Sequence, residues 1–168
     1  PAWHLALEAL AVIIPSAGEV PSRFRPVQLK REASREEPVV VRVVRLGSPR
    51  AEGEGLRIGT VRRPPRGVPK TEFAGQNWYD VWFPNLAPSV ETMKLGQQAS
   101  SPAQWASFVK KYRTEMATPE NGHSIALLAA LSRETNFSVG CYCEEESHCH
   151  RSVLRELLAA AGANVAPP

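Results

Sequence analysis

Cys141, Cys143, His148, Cys149 and His150 crowd one short stretch of this chain, with Arg151 immediately after them. They include all three cysteines and two of the four histidines. Metal binding is the first chemistry such residues suggest. Zinc takes four Cys or His ligands at tetrahedral geometry, and the candidate set is Cys141, Cys143, His148 and Cys149. The spacing argues against it. A Cys-x-Cys pair on a strand puts both side chains on one face two residues apart, and neighbouring helical residues such as Cys149 and His150 point about 100° apart. The expectation is no metal cofactor, with zinc as the lesser alternative and Cys141 as a small buried hydrophobe.

Phosphate chemistry is the second. His148, Cys149 and Arg155 spell H-C-x5-R, the phosphate-loop pattern of cysteine-dependent phosphatases. Such a loop wraps its backbone around phosphate and needs glycines to do so. Here the intervening residues are His150, Arg151, Ser152, Val153 and Leu154, two of which belong to a helical apolar face, and Glu156 stands where a hydroxyl residue is wanted. That reading fails. A milder one survives: Cys149, His150 and Arg151 open a helix, where free N–H groups and the dipole favour an anion and lower a thiol pKa. Cys149 and His150 are the candidate catalytic pair and Arg151 a candidate anion ligand. The plain alternative has Glu144, Glu145 and Glu146 complementing the helix dipole, Ser147 capping it and Cys149 packing.

A second candidate group is the basic loop of Arg62, Arg63, Arg66 and Lys70, stiffened by Pro64 and Pro65. Guanidinium forks bind phosphate or carboxylate bidentately. Arg62, Arg63, Arg66 and Arg151 are therefore the expected anion-binding set. Pairing of this loop with Glu52, Glu54 or Glu72 is the competing expectation. Trp78, Tyr79, Trp82 and Phe83 offer stacking surfaces for bases, although such clusters more often form core.

These residues need elements to hold them. Residues 39–46 are a β-branched run and 56–61 a second short one, so both read as strands. The arginine loop follows the second strand at once. Residues 78–86 are either a third strand or an irregular packing segment. Ser101-Pro102-Ala103-Gln104 signals a helix start with an apolar face of Trp105, Phe108, Val109 and Tyr112. Thr118-Pro119-Glu120 signals another, carrying Ile125, Leu127, Leu128 and Leu131. Phe137, Val139, Cys141 and Cys143 alternate as a final strand. Val153, Leu154, Leu157 and Leu158 then recur at helical spacing until Gly162. A return from an early strand through helices to a late strand favours parallel pairing. The fold class is α/β, with a small, mostly parallel sheet flanked by helices. It forms a single domain over residues 39–164 with an N-terminal extension, 1–38, rich in proline and charge. In such sheets ligands bind beyond the carboxyl ends of the strands, so both candidate loops belong on one rim.

The residues also resemble a known family. RGVPK at 66–70, NLAPS at 85–89, the spacing of Trp105, Phe108 and Tyr112, and CHRSVL at 149–154 occur in this order in the YeaO-like family, domain of unknown function 488. The resemblance covers roughly residues 39–162. It implies a compact α/β domain with a small, largely parallel sheet, and it implies no particular activity. One branch carries Cys-x7-Cys-His-Arg, matched here by Cys141, Cys149, His150 and Arg151. The chain departs at Pro64, where many members have tryptophan.

Composition bounds the rest. The chain has 168 residues, 43% of them apolar, and a net charge of +3, which permits a polyanion partner without demanding one. Three cysteines make no disulfide framework, and a reduced, cytoplasmic setting is expected. Residues 5–14 are apolar but span only about half a bilayer, and Glu8 interrupts them, so no membrane partner is expected. No Walker loop, dinucleotide fingerprint or nucleophile elbow is present. The expected ligand is a phosphorylated small molecule or nucleotide. Competing readings are a non-catalytic thiol or zinc module and a nucleic-acid-associated accessory protein. Whether the chain is an enzyme stays open at this level.

Overall fold

Strand β4, Phe137–Cys141, is buried at all five positions and forms the centre of the sheet. In the computed structural model, which describes residues 38–168, it lies between β1 (Val41–Arg45) and β2 (Leu56–Gly59). Both pairings are parallel, with Phe137 opposite Val41 on one side and Leu56 on the other. A two-residue strand, β3 (Val81–Trp82), adds to the far side of β2, giving the order β1-β4-β2-β3. A small-and-apolar sequence such as FSVGC suits a strand covered on both faces. Of the extension expected over residues 1–38, all but residue 38 lies outside the described residues, and so does the apolar stretch at 5–14.

Helices α1 (Val90–Gln98), α2 (Pro102–Met116) and α3 (Pro119–Leu131) lie in the chain between β3 and β4, the long crossover that parallel pairing requires. Helix α4 (His150–Ala160) follows β4. Val41, Ile58 and Val139 of the sheet pack with Phe108, Tyr112 and Met116 of α2, Ile125 and Leu128 of α3, and Val153, Leu154 and Leu158 of α4. The expected helix starts are present: Ser101 Oγ accepts from the Gln104 N–H at 3.4 Å, and Pro102 and Pro119 each sit in the first turn. The C-terminal residues continue past 164, with Asn164 O accepting from Val41 N–H and Ala166 N–H donating to Val41 O.

Several expectations change. Helix α1 is an addition to the expected elements; its sequence VETMKLGQQ has only three large apolar residues, Val90, Met93 and Leu95, and Leu95 is 40% exposed. It is held by its cap and by α2: Ser89 Oγ accepts from Thr92 N–H, and Glu115 accepts from Ser89 N–H, Ser89 Oγ and Thr92 Oγ1. Gly96 permits the close approach, because a Cβ there would lie 2.9 Å from the Phe108 ring. Leu127 and Leu131 are 60% and 39% exposed, not core. The second half of α3, residues 125–131, is apolar on every side, so periodicity could not say which face the sheet takes. Of residues 78–86, only Val81–Trp82 pairs as strand, and Pro84–Leu86 forms a 3-10 turn. Tyr79 is buried as a core residue, whereas Trp82 is 46% exposed with its Nε1–H on Val61 O.

Candidate functional site

Because every strand is parallel, all carboxyl ends fall on one edge of the sheet. The chain leaves β2 at Gly59 into the arginine loop and leaves β4 at Cys141 into the cysteine–histidine loop. Between them opens a cavity of about 1100 Å³. Arg62, Arg63 and Arg66 line one part of it, and Cys141, Cys143, His148, Cys149 and His150 line another. Trp78, Trp105 and Phe108 supply aromatic surface, and Lys94 of α1 adds a further cation.

The arginines differ in their commitments. Arg62 donates from Nε and Nη2 to Pro88 O and from Nη2 to Ala87 O, which ties the loop to the start of α1. Arg63 and Arg66 are exposed. Among the described residues neither forms an ion pair. The competing expectation of pairing with Glu52, Glu54 or Glu72 does not hold, since Glu54 binds Arg57, Glu72 accepts from Gln76, and Glu52 forms no ion pair among the described residues. Arg45 lines the cavity but is shared with Glu144 at 3.0 Å. Lys70 sits in a 3-10 turn and does not line the cavity.

Arg151 differs from its expected place. It is 3% exposed, does not line the cavity, and donates from Nη2 to Cys143 O and Glu144 O. Its position on the first turn of α4 points it back under the loop, where it fastens residues 143 and 144 instead of meeting a ligand. Arg155 is likewise occupied, with Glu146 at 2.6 Å and with Ala166 O. No phosphate loop of the H-C-x5-R kind forms, because the helix begins at His150.

The cysteines come together in a way the spacing did not suggest. The three Sγ atoms all lie within 4.8 Å of one another. Strand β4 ends at Cys141, and the chain turns there, so Cys143 Sγ comes within 3.7 Å of Cys141 Sγ. Two residues along a continuing strand would separate them by roughly 6.6 Å. Cys149 is not helical either. It is the N-cap, with φ −134° and ψ 149°, so its side chain returns toward the loop while His150 points to β2. Ser147, expected as the cap, contacts Glu145 and His148 instead. His148, expected as a fourth ligand, lies outside this sulfur cluster, with its ring against Trp105.

His150 Nε2 bonds Thr60 O at 2.9 Å, which puts the proton on Nε2 and leaves Nδ1 as acceptor, 3.7 Å from Cys149 Sγ. Burial drives its pKa down to about 4. For Cys149, contact with Cys141 pulls the thiol down, but Cys143 and burial outweigh it and leave the pKa at about 11. The expected lowering at the helix start therefore falls on another residue. Cys143, the exposed member, is held low by S–H contacts from Cys141 and Cys149, with His150 and Arg151 adding to the effect. Cys141 is raised by its contacts with Cys143 and Cys149 and by burial.

A model of the active DUF488-N3 subclade matches residues 41–162, which hold the whole sheet, all four helices and both loops. The chain belongs to the DUF488 family. No curated protein and no solved structure gives a significant match to it. Thr60, Lys94 and Trp105 of this DUF488 domain join the site without any local motif that marks them. The first is reached only through the β2–β4 register, and the other two through the packing of α1 on α2. Among the described residues no helix is long and apolar enough to cross a membrane.

Proposed function

We propose that this DUF488 domain binds a phosphorylated ligand bearing a planar ring, of nucleotide size, in the cavity at the carboxyl edge of its sheet. The charge of the cavity wall carries this reading: Arg45, Arg62, Arg63, Arg66 and Lys94 line it, and among the described residues no aspartate or glutamate does. Like charges gathered in a concave site raise the local concentration of an anion. Arg63 and Arg66 are the anion ligands, and Arg62 anchors the loop that presents them. Trp78 and Trp105 offer faces on which a ring can stack. The volume, about 1100 Å³, lies just above the usual range of small-molecule sites, roughly 300–1,000 Å³.

Cys149 and His150 form part of the wall in this reading. At neutral pH the directions of their pKa shifts leave a protonated thiol beside a neutral imidazole. That pairing supports neither a thiolate nucleophile nor an imidazolium acid, and we assign the pair no group-transfer step. A reducing, cytoplasmic setting agrees with a site that exposes a cysteine.

The test is thermal stabilisation of the chain by inorganic phosphate and by nucleoside mono- and diphosphates. A ligand at about 100 times its Kd adds about 2.7 kcal/mol. A nucleotide is expected to stabilise more than phosphate, and Arg63→Glu with Arg66→Glu to abolish both effects. Absence of stabilisation by any of these anions at millimolar concentration overturns the proposal. Retardation of single-stranded nucleic acid that weakens steeply with salt, without nucleotide stabilisation, assigns the same cations to a polymer instead.

A further inference from the structure

Arg151 poses a problem of charge. Its guanidinium is almost wholly buried, yet among the described residues it forms no ion pair, and its Nε has no hydrogen-bond partner. Its only acceptors among the described residues are the carbonyls of Cys143 and Glu144. Buried charges are found paired or beside metal centres, because an isolated one is strongly disfavoured. Of the two residues whose carbonyls it holds, Glu144 has its carboxylate paired with Arg45, and Cys143 carries a thiol that can ionise.

We infer that Cys141, Cys143 and Cys149 form a three-thiolate site for zinc(II), with its fourth coordination position open to the cavity. Four tetrahedral ligands at a Zn–S distance of about 2.3 Å stand about 3.8 Å apart. The Cys141 and Cys143 sulfurs are already 3.7 Å apart, and all three fit within 4.8 Å, so the ion needs contraction of roughly 1 Å at most. The backbone supplies this arrangement from three different settings: a strand end, an irregular loop and a helix N-cap. All three residues line the cavity, so an ion held by them borders the space where a ligand enters. Three protein ligands and one exchangeable position are the pattern of zinc sites that act on ligands, whereas structural sites are closed by four.

The charge also closes. Three thiolates and one zinc carry a net charge of −1, which the Arg151 guanidinium balances beneath them, with the N-terminus of α4 adding partial positive charge. Sulfur excludes hard cations such as magnesium and calcium from such a site. Binding releases the remaining thiol protons to water, and no electron transfer is involved. The site is independent of the anion reading, because it uses none of the arginine loop.

The test is metal analysis of the whole chain, expressed with zinc and purified under reductant without chelator. A zinc-to-protein ratio near one is expected. Cys143→Ser, at an exposed position, is expected to keep its far-ultraviolet circular dichroism and to bind zinc more weakly by more than the roughly hundredfold that loss of an outer-shell partner causes. Arg63→Glu with Arg66→Glu is expected to retain full zinc, which separates this site from the anion pocket. Cobalt(II) in place of zinc should give thiolate charge-transfer absorption and intense visible bands, and azide should shift the visible bands. A ratio near zero together with no cobalt spectrum on titration overturns the site. A Cys143→Ser protein that binds zinc as tightly as the parent also overturns it. A cobalt spectrum that azide leaves unchanged overturns the open position, and a disulfide among these cysteines in the freshly purified protein overturns the thiolate assignment.

Discussion

Replacing Glu54 with glutamine removes one charge from a pair on which the cavity wall depends. The Arg57 side chain is fully buried, with Nε and Nη2 on the Glu54 carboxylate at 2.7 and 2.8 Å. Its Nη1 donates to Ser48 O at 2.8 Å and to Asn77 O at 2.7 Å. Ser48 and Trp78 line the cavity, so this one guanidinium holds two of its bordering loops. Glu54 also accepts from Ser138 Oγ of β4 and from Ala51 N–H. Glutamine keeps the shape but leaves Arg57 charged and uncompensated, a change that costs about 3–5 kcal/mol at buried pairs. In a domain of this size that corresponds to a fall in Tm of roughly 10–20 °C. Thermal unfolding followed by circular dichroism measures it. The pH dependence offers a second reading of the same pair. Burial alone would raise the Glu54 pKa, but donation from Arg57, Ser138 and Ala51 holds it at about 2. In the unfolded chain a glutamate titrates at about 4.3. The contribution is therefore present in full above about pH 5 and is lost as pH falls from there toward 2. The parent should lose more stability across that window than Glu54→Gln does. A Tm within about 4 °C of the parent, or parallel pH curves for the two proteins, refutes the reasoning.

Two further substitutions test how the site is held. Gly59→Ala places a Cβ 2.4 Å from the Tyr79 ring, which is buried against Phe73, so overpacking should cost about 1–3 kcal/mol in urea unfolding; a midpoint unchanged from the parent would show that the ring yields freely. Tyr112→Phe deletes the hydroxyl that donates to Leu86 O at 2.7 Å and leaves a buried carbonyl unpaired. A loss of about 1–3 kcal/mol is expected, and a stabilised variant would contradict the accounting.

What could be read from the residues alone was local. The starts of α2 and α3 follow from Ser101-Pro102 and Thr118-Pro119, since capping and proline geometry act within a single turn. The parallel sheet follows from the need for a long return between an early and a late strand, and from it the shared rim of the Arg62–Arg66 and Cys141–His150 stretches. The chain's own pattern also carried its family resemblance. Tertiary structure decided the rest. Helix α1 is short, has only three large apolar residues, and is held by Glu115 and Phe108, contributed from α2. The exposure of Leu127 and Leu131 depends on which side of the apolar second half of α3, residues 125–131, meets the sheet. The removal of Arg151 from the anion set follows from its burial under residues 143 and 144. The meeting of the three sulfurs depends on β4 stopping at Cys141 and on Cys149 taking an extended cap conformation. Those are outcomes of strand pairing and helix docking some distance away, so the spacing of cysteines along the chain could not report the distances between them.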